Sequence, residues 1–177
     1  MNGLFTPLVI GVGLVLAGCT PGDGITPSVD VPTVEVTVTP TPQWSADEQA
    51  AVDAVQAYLE MWAYIAQNIG EDPNQIFEVA MNPIADQDFS ILLHWKQGNR
   101  HLVGGPEFTP TIVHLGTQDD LGRNFYVYGC YTSENSYLAE ADGTPVPGSG
   151  HGTNRYTVLD HEGTWVVRDA EGIDNTC

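Results

Sequence analysis

The chain has 177 residues and a formal net charge of −18, and 42 % of its residues are hydrophobic. This apolar content, with a full set of aromatic residues, is typical of a globular protein and excludes a chain that is disordered throughout. The five basic residues are scattered, which excludes the clustered cations that nucleic-acid binding needs. We expect no nucleic-acid partner, and we interpret the acidity as a source of solubility rather than as specific cation binding.

The N-terminus carries an uncharged apolar run that begins near Leu4 and ends in Leu16-Ala17-Gly18-Cys19. Small residues followed by a cysteine form a lipobox, in which the thiol takes up a diacylglyceryl group before the signal peptide is cleaved. A transmembrane helix is the alternative, but it needs roughly 20 apolar residues, and glycines shorten and weaken this run. We predict a lipoprotein signal peptide over residues 1–18 and a lipidated Cys19 that anchors the chain to the outer face of the cell membrane.

Residues 19–43 are rich in Thr, Pro and Val and contain no aromatic residue. Prolines at five positions of this segment interfere with regular strand pairing. We predict a disordered linker that holds the folded domain away from the membrane. The alternation of Val with polar residues over 34–39 leaves an edge strand open as an alternative.

The chain has three cysteines, and lipidation of Cys19 leaves Cys130 and Cys177 as one pair. Thiols outside the membrane are oxidised, so we predict a disulfide between these two residues. Two free buried thiols are the alternative, which would suit a cytosolic chain better.

The folded domain, residues 44–177, is predicted to open with helices. Ser45 and Glu48 have the spacing of a capping box, and apolar residues then recur every three or four positions up to Gly70, where the helix is expected to end. Two further helices are predicted over Asn74–Met81 and Asp86–Gln97, the second stopped by Gly98.

The second half of the domain is rich in Val, Thr, Tyr and Ile and has the character of antiparallel strands. The predicted strands are Thr109–Leu115, Asn124–Thr132, Ser136–Glu140, Asn154–Asp160 and Thr164–Asp169. A longer loop is predicted over Asp142–Gly152 because it is rich in Gly and Pro. Helices followed by a meander of strands indicate the α+β class.

Three short motifs and a terminal cysteine follow one another in this half: Tyr126-Val127-Tyr128-Gly129-Cys130-Tyr131, Asp142-Gly143-Thr144-Pro145-Val146-Pro147, Gly163-Thr164-Trp165-Val166-Val167 and Cys177. This order resembles surface lipoproteins of high-GC Gram-positive bacteria and their phages, whose exported domain has the nuclear transport factor 2-like cone fold. The resemblance implies N-terminal helices packed on a curved antiparallel sheet, and the same pairing of the two cysteines. Most members of that group have no assigned activity, so the resemblance implies a fold rather than a reaction.

A cone fold leaves an apolar pocket, and relatives in that superfamily use Asp, His or Tyr there for proton transfer. The residues that we expect to face such a pocket are His94, Trp95, His114, Tyr126 and Tyr128. His114 and Tyr128 would polarise a carbonyl and His94 would act as base if the three converge. Ordinary packing of these histidines and tyrosines is the alternative, so we name no catalytic residue.

The histidines never fall at the paired spacing of a zinc site, and Asp119-Asp120 lacks the alternating spacing of a calcium loop. We predict no metal and no cofactor. The function we favour is a membrane-anchored surface lipoprotein whose domain binds a surface protein or small ligand without transforming it. The alternatives are a small pocket enzyme (an isomerase, dehydratase or hydrolase) and, if a phage or prophage encodes the chain, a lipoprotein that excludes later phages.

Overall fold

The computed structural model describes residues 44–146, 151–174 and 177. The predicted signal peptide, Cys19 and the linker 19–43 lie outside the described residues, as does the 147–150 part of the predicted loop. Within the described ranges the elements follow the order α1 (Ala46–Gln67), a 3-10 helix (Pro73–Glu78), α2 (Ile84–Gln97), β1 (His101–Val103), β2 (Glu107–Asp119), β3 (Gly122–Thr132), β4 (Tyr137–Ala139), β5 (Pro145–Val146), β6 (His151–His161) and β7 (Thr164–Asp174).

Helix α1 begins at the predicted capping box. The Ser45 amide donates to Glu48 Oε2 at 2.7 Å, and the Glu48 amide donates to Ser45 Oγ at 3.4 Å. The helix ends at Gln67 rather than at Gly70 because Asn68 closes it, its backbone and side-chain amides both donating to the carbonyl of Tyr64. This local cap satisfies the Tyr64 carbonyl, and the helix therefore ends three residues before the glycine.

The second predicted helix is a 3-10 helix that ends at Glu78, before the predicted Met81. The backbone leaves the helix there because it pairs with β7. The Val167 amide donates to the Val79 carbonyl at 3.0 Å, and the Met81 amide donates to the Val167 carbonyl at 2.8 Å. Helix α2 starts at Ile84, two residues before the predicted position, and ends at Gln97 before Gly98 as predicted.

The strands form two antiparallel sheets, a four-stranded one in the order β2-β3-β6-β7 and a three-stranded one in the order β1-β4-β5. The α+β class with N-terminal helices is therefore confirmed, but the single meander is corrected, because the predicted strand Ser136–Glu140 becomes β4 of the small sheet. Strand β1 and the two-residue β5 were not predicted, since segments this short carry no alternating pattern. Register shifts in β2 and β7 mark irregularities that bend the four-stranded sheet.

The four-stranded sheet has an inner face, which α1 covers, and an outer face on the opposite side. Phe125 and Val127 of β3 point inward and are 4 % and 0 % exposed, and they share a core cluster with Val52 and Val55 of α1. Successive residues of a strand point to opposite faces. Tyr126 and Tyr128 therefore project from the outer face, where both are half-buried.

A disulfide joins Cys130 of β3 to Cys177 at the end of the chain, as predicted, with the two Cα atoms 5.6 Å apart. Cys130 alternates with Gly129 and Tyr131, so the bridge lies on the outer face. It ties the C-terminal residue to a central strand of the sheet.

Candidate functional site

The structure separates the predicted pocket residues into two groups. His114 faces Tyr126 across β2 and β3, and its ring centroid lies 6.0 Å from that of Tyr128, so these three residues meet on the outer face. His94 and Trp95 belong to α2, on which His94 is exposed, and Trp95 packs edge-on against Trp62 of α1 at 5.5 Å. Trp95 also packs against the core cluster.

A cavity of about 200 Å³ opens on the inner face, between α1, α2 and the end of the large sheet. Aromatic side chains dominate its lining: Tyr58 and Trp62 of α1, Tyr131 of β3 and Tyr156 of β6. Asp88 of α2 supplies a carboxyl group to the same cavity. An engineered cavity of about 150 Å³ admits benzene, so this volume suits a ligand of comparable size.

Ala170, a small residue of β7, is part of the lining of this cavity. In the register of the sheet, Val127 faces Tyr156, which in turn faces Ala170, and Gly129 faces Asn154, which faces Gly172. A Cβ atom on Gly129 would lie 2.5 Å from the ring of Phe108, so a glycine is needed here for that ring to approach the strand so closely. Near the cavity, β7 presents Ala170 and Gly172 to β6. Farther along the same two strands, away from the cavity, Val158 and Val167 face each other instead.

The carboxyl group of Asp88 is the most deeply buried charge-bearing group of the cavity, at 8 % exposure. The Tyr58 hydroxyl donates to its Oδ2 at 2.6 Å, a length typical of a hydrogen bond to a carboxylate. Burial raises the pKa of Asp88, and the donors Tyr58 and Trp62 oppose that rise. Burial and the neighbouring Asp88 carboxylate raise the pKa of Tyr58. Asp88 and Tyr58 therefore form a hydrogen-bonded pair that joins α1 to α2 beside the cavity.

Two further hydroxyl groups line the cavity. Tyr156 accepts a long hydrogen bond of 3.4 Å from Asn154 Nδ2, and burial raises its pKa to about 12. Burial also raises the pKa of Tyr131, which lies on the inner face two residues beyond Gly129. Both phenols therefore stay protonated at neutral pH and can donate to a ligand.

Within the part of the chain that the structure describes, no basic side chain lines the cavity. Arg155 lies between Asn154 and Tyr156 in the sequence, but it points to the outer face and pairs with Glu171. The other four basic residues are also engaged by acidic side chains or backbone carbonyls away from the cavity: Lys96 by the Glu71 carbonyl, Arg100 by Glu140, Arg123 by Asp47 and Asp160, and Arg168 by Asp119. The site therefore offers an anionic and aromatic surface with no counter-charge of its own.

An adjoining depression of about 310 Å³ shares Leu59 and Pro106 with the cavity, and Glu60 adds a carboxylate to it. Within the described residues no group of three His, Cys, Asp or Glu side chains is placed to hold a metal ion. In the same part of the chain, no helix combines the length and apolar character that crossing a membrane requires.

Four residues of the cavity were not predicted from the sequence: Tyr58, Asp88, Tyr131 and Tyr156. A signal for Asp88 was present, because it lies four residues after Ile84 and four before Leu92, on the stripe of α2 that both of these residues bury. An acidic residue inside an apolar stripe is a buried charge, and buried charges are rare unless they are paired or functional. For Tyr131 the signal was strand parity, since it alternates in phase with Phe125 and Val127.

No model of a protein family matches the chain, and no curated protein matches it. Among solved structures, the crystal structure of the intermembrane space region of the chloroplast protein ARC6 is similar, with a TM-score of 0.52 and 11 % sequence identity. The alignment covers 75 % of this chain and 99 % of that one. At this identity the similarity shows the fold alone: an α+β domain in which helices precede a curved antiparallel sheet.

Proposed function

We propose that residues 44–177 form a binding module whose ligand occupies the cavity between α1, α2 and the inner face of the sheet. The observation that carries the proposal is the combination of space, aromatic lining and one buried carboxyl group that the Tyr58 hydroxyl holds in place. Ligand sites in proteins are concave and mostly apolar, with a few fixed polar groups that set specificity.

The rest of the proposal concerns fold family and location. The bent sheet, the helix across its inner face and the cavity at its open end support a nuclear transport factor 2-like cone. The lipobox at Cys19 supports attachment to the outer face of the cell membrane, with the linker between anchor and module. Palmitate labelling tests the anchor, because label should enter the wild-type protein and be absent from the Cys19→Ser variant.

The binding proposal is tested by filling the cavity. Ala170 lines it, so Ala170→Phe places a ring in the space, whereas Ala57→Phe adds the same ring to an exposed position of α1 in a separate surface groove. Ligand-observed NMR with a library of small apolar and aromatic molecules should give hits with the wild type and Ala57→Phe that disappear with Ala170→Phe. Hits that survive in Ala170→Phe would contradict the proposal.

A pocket enzyme is the second candidate, because one specific observation favours it. Asp88 has a pKa raised by burial, and the Tyr156 hydroxyl lines the same cavity, so a base and a proton donor are within one small space. Removing a general base costs roughly a factor of 10² to 10⁴ in rate. Turnover of a cavity ligand that is lost in Asp88→Asn, with binding retained, would favour the enzyme over the binding module.

The phage-exclusion role stays a prediction. Expression of the full chain in a susceptible host should lower phage plating efficiency if the role is correct, and Cys19→Ser should remove that effect.

A further inference from the structure

We propose that the cavity binds a small organic cation, a quaternary ammonium or protonated amine, which the Asp88 carboxylate neutralises and the surrounding rings enclose. This inference rests on the proposed binding function and adds the chemical class of the ligand. It follows from three features: the aromatic lining, the buried carboxyl group and the lack of any basic group beside it.

The aromatic lining is the first feature. Tyr58, Trp62, Tyr131 and Tyr156 surround the space, and they come from a helix and from two neighbouring strands. The face of an aromatic ring carries negative electrostatic potential and attracts a cation within about 6 Å. Rings arranged around one volume are the arrangement by which proteins bind quaternary ammonium groups, which cannot be bound by hydrogen bonds.

The carboxyl group is the second feature. Asp88 is 8 % exposed, and among the residues that the structure describes no Lys, Arg or His lines the cavity to act as its cationic partner. A buried ionised group without a counter-charge is costly, and an incoming cation would supply that charge. Tyr58 holds the carboxylate oriented by donating to Oδ2 at 2.6 Å.

The surrounding charge is the third feature. Glu60 lies in the adjoining depression that shares Leu59 and Pro106 with the cavity, so the approach to the site is also acidic. With a net charge of −18 and each basic side chain engaged elsewhere, the protein attracts cations and repels anions. A free phosphate or a carboxylate ligand would find no positive group in the cavity.

The experiment compares choline with 3,3-dimethyl-1-butanol, a neutral molecule of the same shape, by isothermal titration calorimetry. The full chain is used in an uncharged glucoside detergent, so that no choline headgroup competes. Choline should bind about tenfold more tightly than the neutral isostere. Phosphocholine should bind more weakly than choline, because Asp88 and Glu60 would repel its phosphate. Equal or tighter binding of phosphocholine would show that the ligand is a lipid headgroup rather than a small cation, and would overturn the inference.

The variants locate the effect. Asp88→Asn should weaken choline binding about tenfold and leave the isostere unchanged. Asp86→Asn, an exposed position two residues earlier in α2, is the matched control and should change neither. Tyr131→Leu should lower the preference for choline over the isostere, with Tyr126→Leu on the outer face as its control.

The outcomes separate this inference from the proposed function. Equal affinities for choline and its isostere, both lost in Ala170→Phe, would overturn the cation class and keep the binding module. If choline does not bind but library molecules do, and Ala170→Phe removes those hits, the cation class is likewise overturned and the binding module is kept. Choline binding that persists in both Asp88→Asn and Ala170→Phe would place the cation elsewhere and overturn the inference. Circular dichroism and a urea titration of each variant confirm that the fold is retained.

Discussion

The inner and outer faces of the four-stranded sheet both carry tyrosines, but the two sets have different surroundings. On the outer face Tyr126 lies under the guanidinium of Arg155, and Tyr128 lies beside His114, all at positions open to solvent on one side. On the inner face Tyr131 and Tyr156 border a cavity together with a buried carboxyl group. The surroundings of a tyrosine in a strand therefore depend on the face to which its side chain points.

The two faces also differ in what stabilises them. The inner face is stabilised by burial of apolar side chains under α1, whereas the outer face depends on ion pairs and the disulfide. Exposed ion pairs contribute little, so the disulfide should be the main contribution of the outer face.

Removing the disulfide should have the largest effect. The bridge closes a loop with a sequence separation of 47 residues, which in the chain-entropy model stabilises by about 4 kcal/mol. The double variant Cys130→Ala, Cys177→Ala should lose a free energy of unfolding of about this size in a urea titration. The wild type in reductant should match the variant, and equal stability of oxidised wild type and variant would contradict the assignment.

The two faces can be compared directly with one substitution. Tyr58→Phe removes the donor to Asp88 and leaves a buried carboxyl group with one hydrogen bond fewer, so it should cost about 1–3 kcal/mol. Tyr126→Phe keeps the ring under Arg155 on the outer face and should stay within about 0.5 kcal/mol of the wild type. Equal losses in the free energy of unfolding, measured by urea titration, would show that the Tyr58 to Asp88 hydrogen bond contributes no more to stability than the Tyr126 hydroxyl on the outer face.

Asp88 should give the protein a specific dependence of stability on pH. Its pKa is raised in the folded state, so the unfolded chain releases this proton first as pH rises. The free energy of unfolding should therefore fall as pH rises above about 4, the ordinary value of an aspartate. Asp88→Asn should lack this fall and be at least as stable as the wild type at neutral pH. The cavity tyrosines titrate far above this range and do not interfere.

Asp119 should give the opposite and smallest effect. The Leu121 amide and the Arg168 guanidinium lower its pKa to about 2, so its stabilising contribution is present above the ordinary aspartate value and is lost as pH falls toward about 2. Asp119→Asn should lower the melting temperature slightly at neutral pH and not at pH 2. Asp120→Asn, at the exposed neighbouring position, is the control; an equal effect there would assign the change to net charge.

Much of the fold could be predicted from local chemistry. The Ser45 to Glu48 capping box, the stop at Gly98 and the pairing of two cysteines each depend on residues that act alone or with a near neighbour. The early end of the 3-10 helix could not be predicted, because it results from pairing of the segment after Glu78 with Val167, which is distant in the sequence. Strand β1 was missed because three residues cannot show a period.

The cavity was predicted as a consequence of a cone fold, but its residues were not. His114, Tyr126 and Tyr128 were chosen by residue type, whereas the alternation of Phe125 and Val127 would have assigned these tyrosines to the outer face. The cavity lining includes Ala170 of β7, which faces Tyr156 of β6 in the register of the sheet. That register includes an irregularity in β7, which no local pattern of the sequence reports.

We propose that the ligand lies on the inner face of the sheet, and anomalous diffraction can locate it there. Crystals soaked with tetramethylarsonium, a quaternary cation with an anomalous scatterer, should show one anomalous peak in the cavity among Asp88, Tyr131 and Tyr156. Crystals of Ala170→Phe should show no peak at that position. A peak beside Tyr126 and Tyr128 on the outer face, with no peak in the cavity, would contradict a ligand site on the inner face.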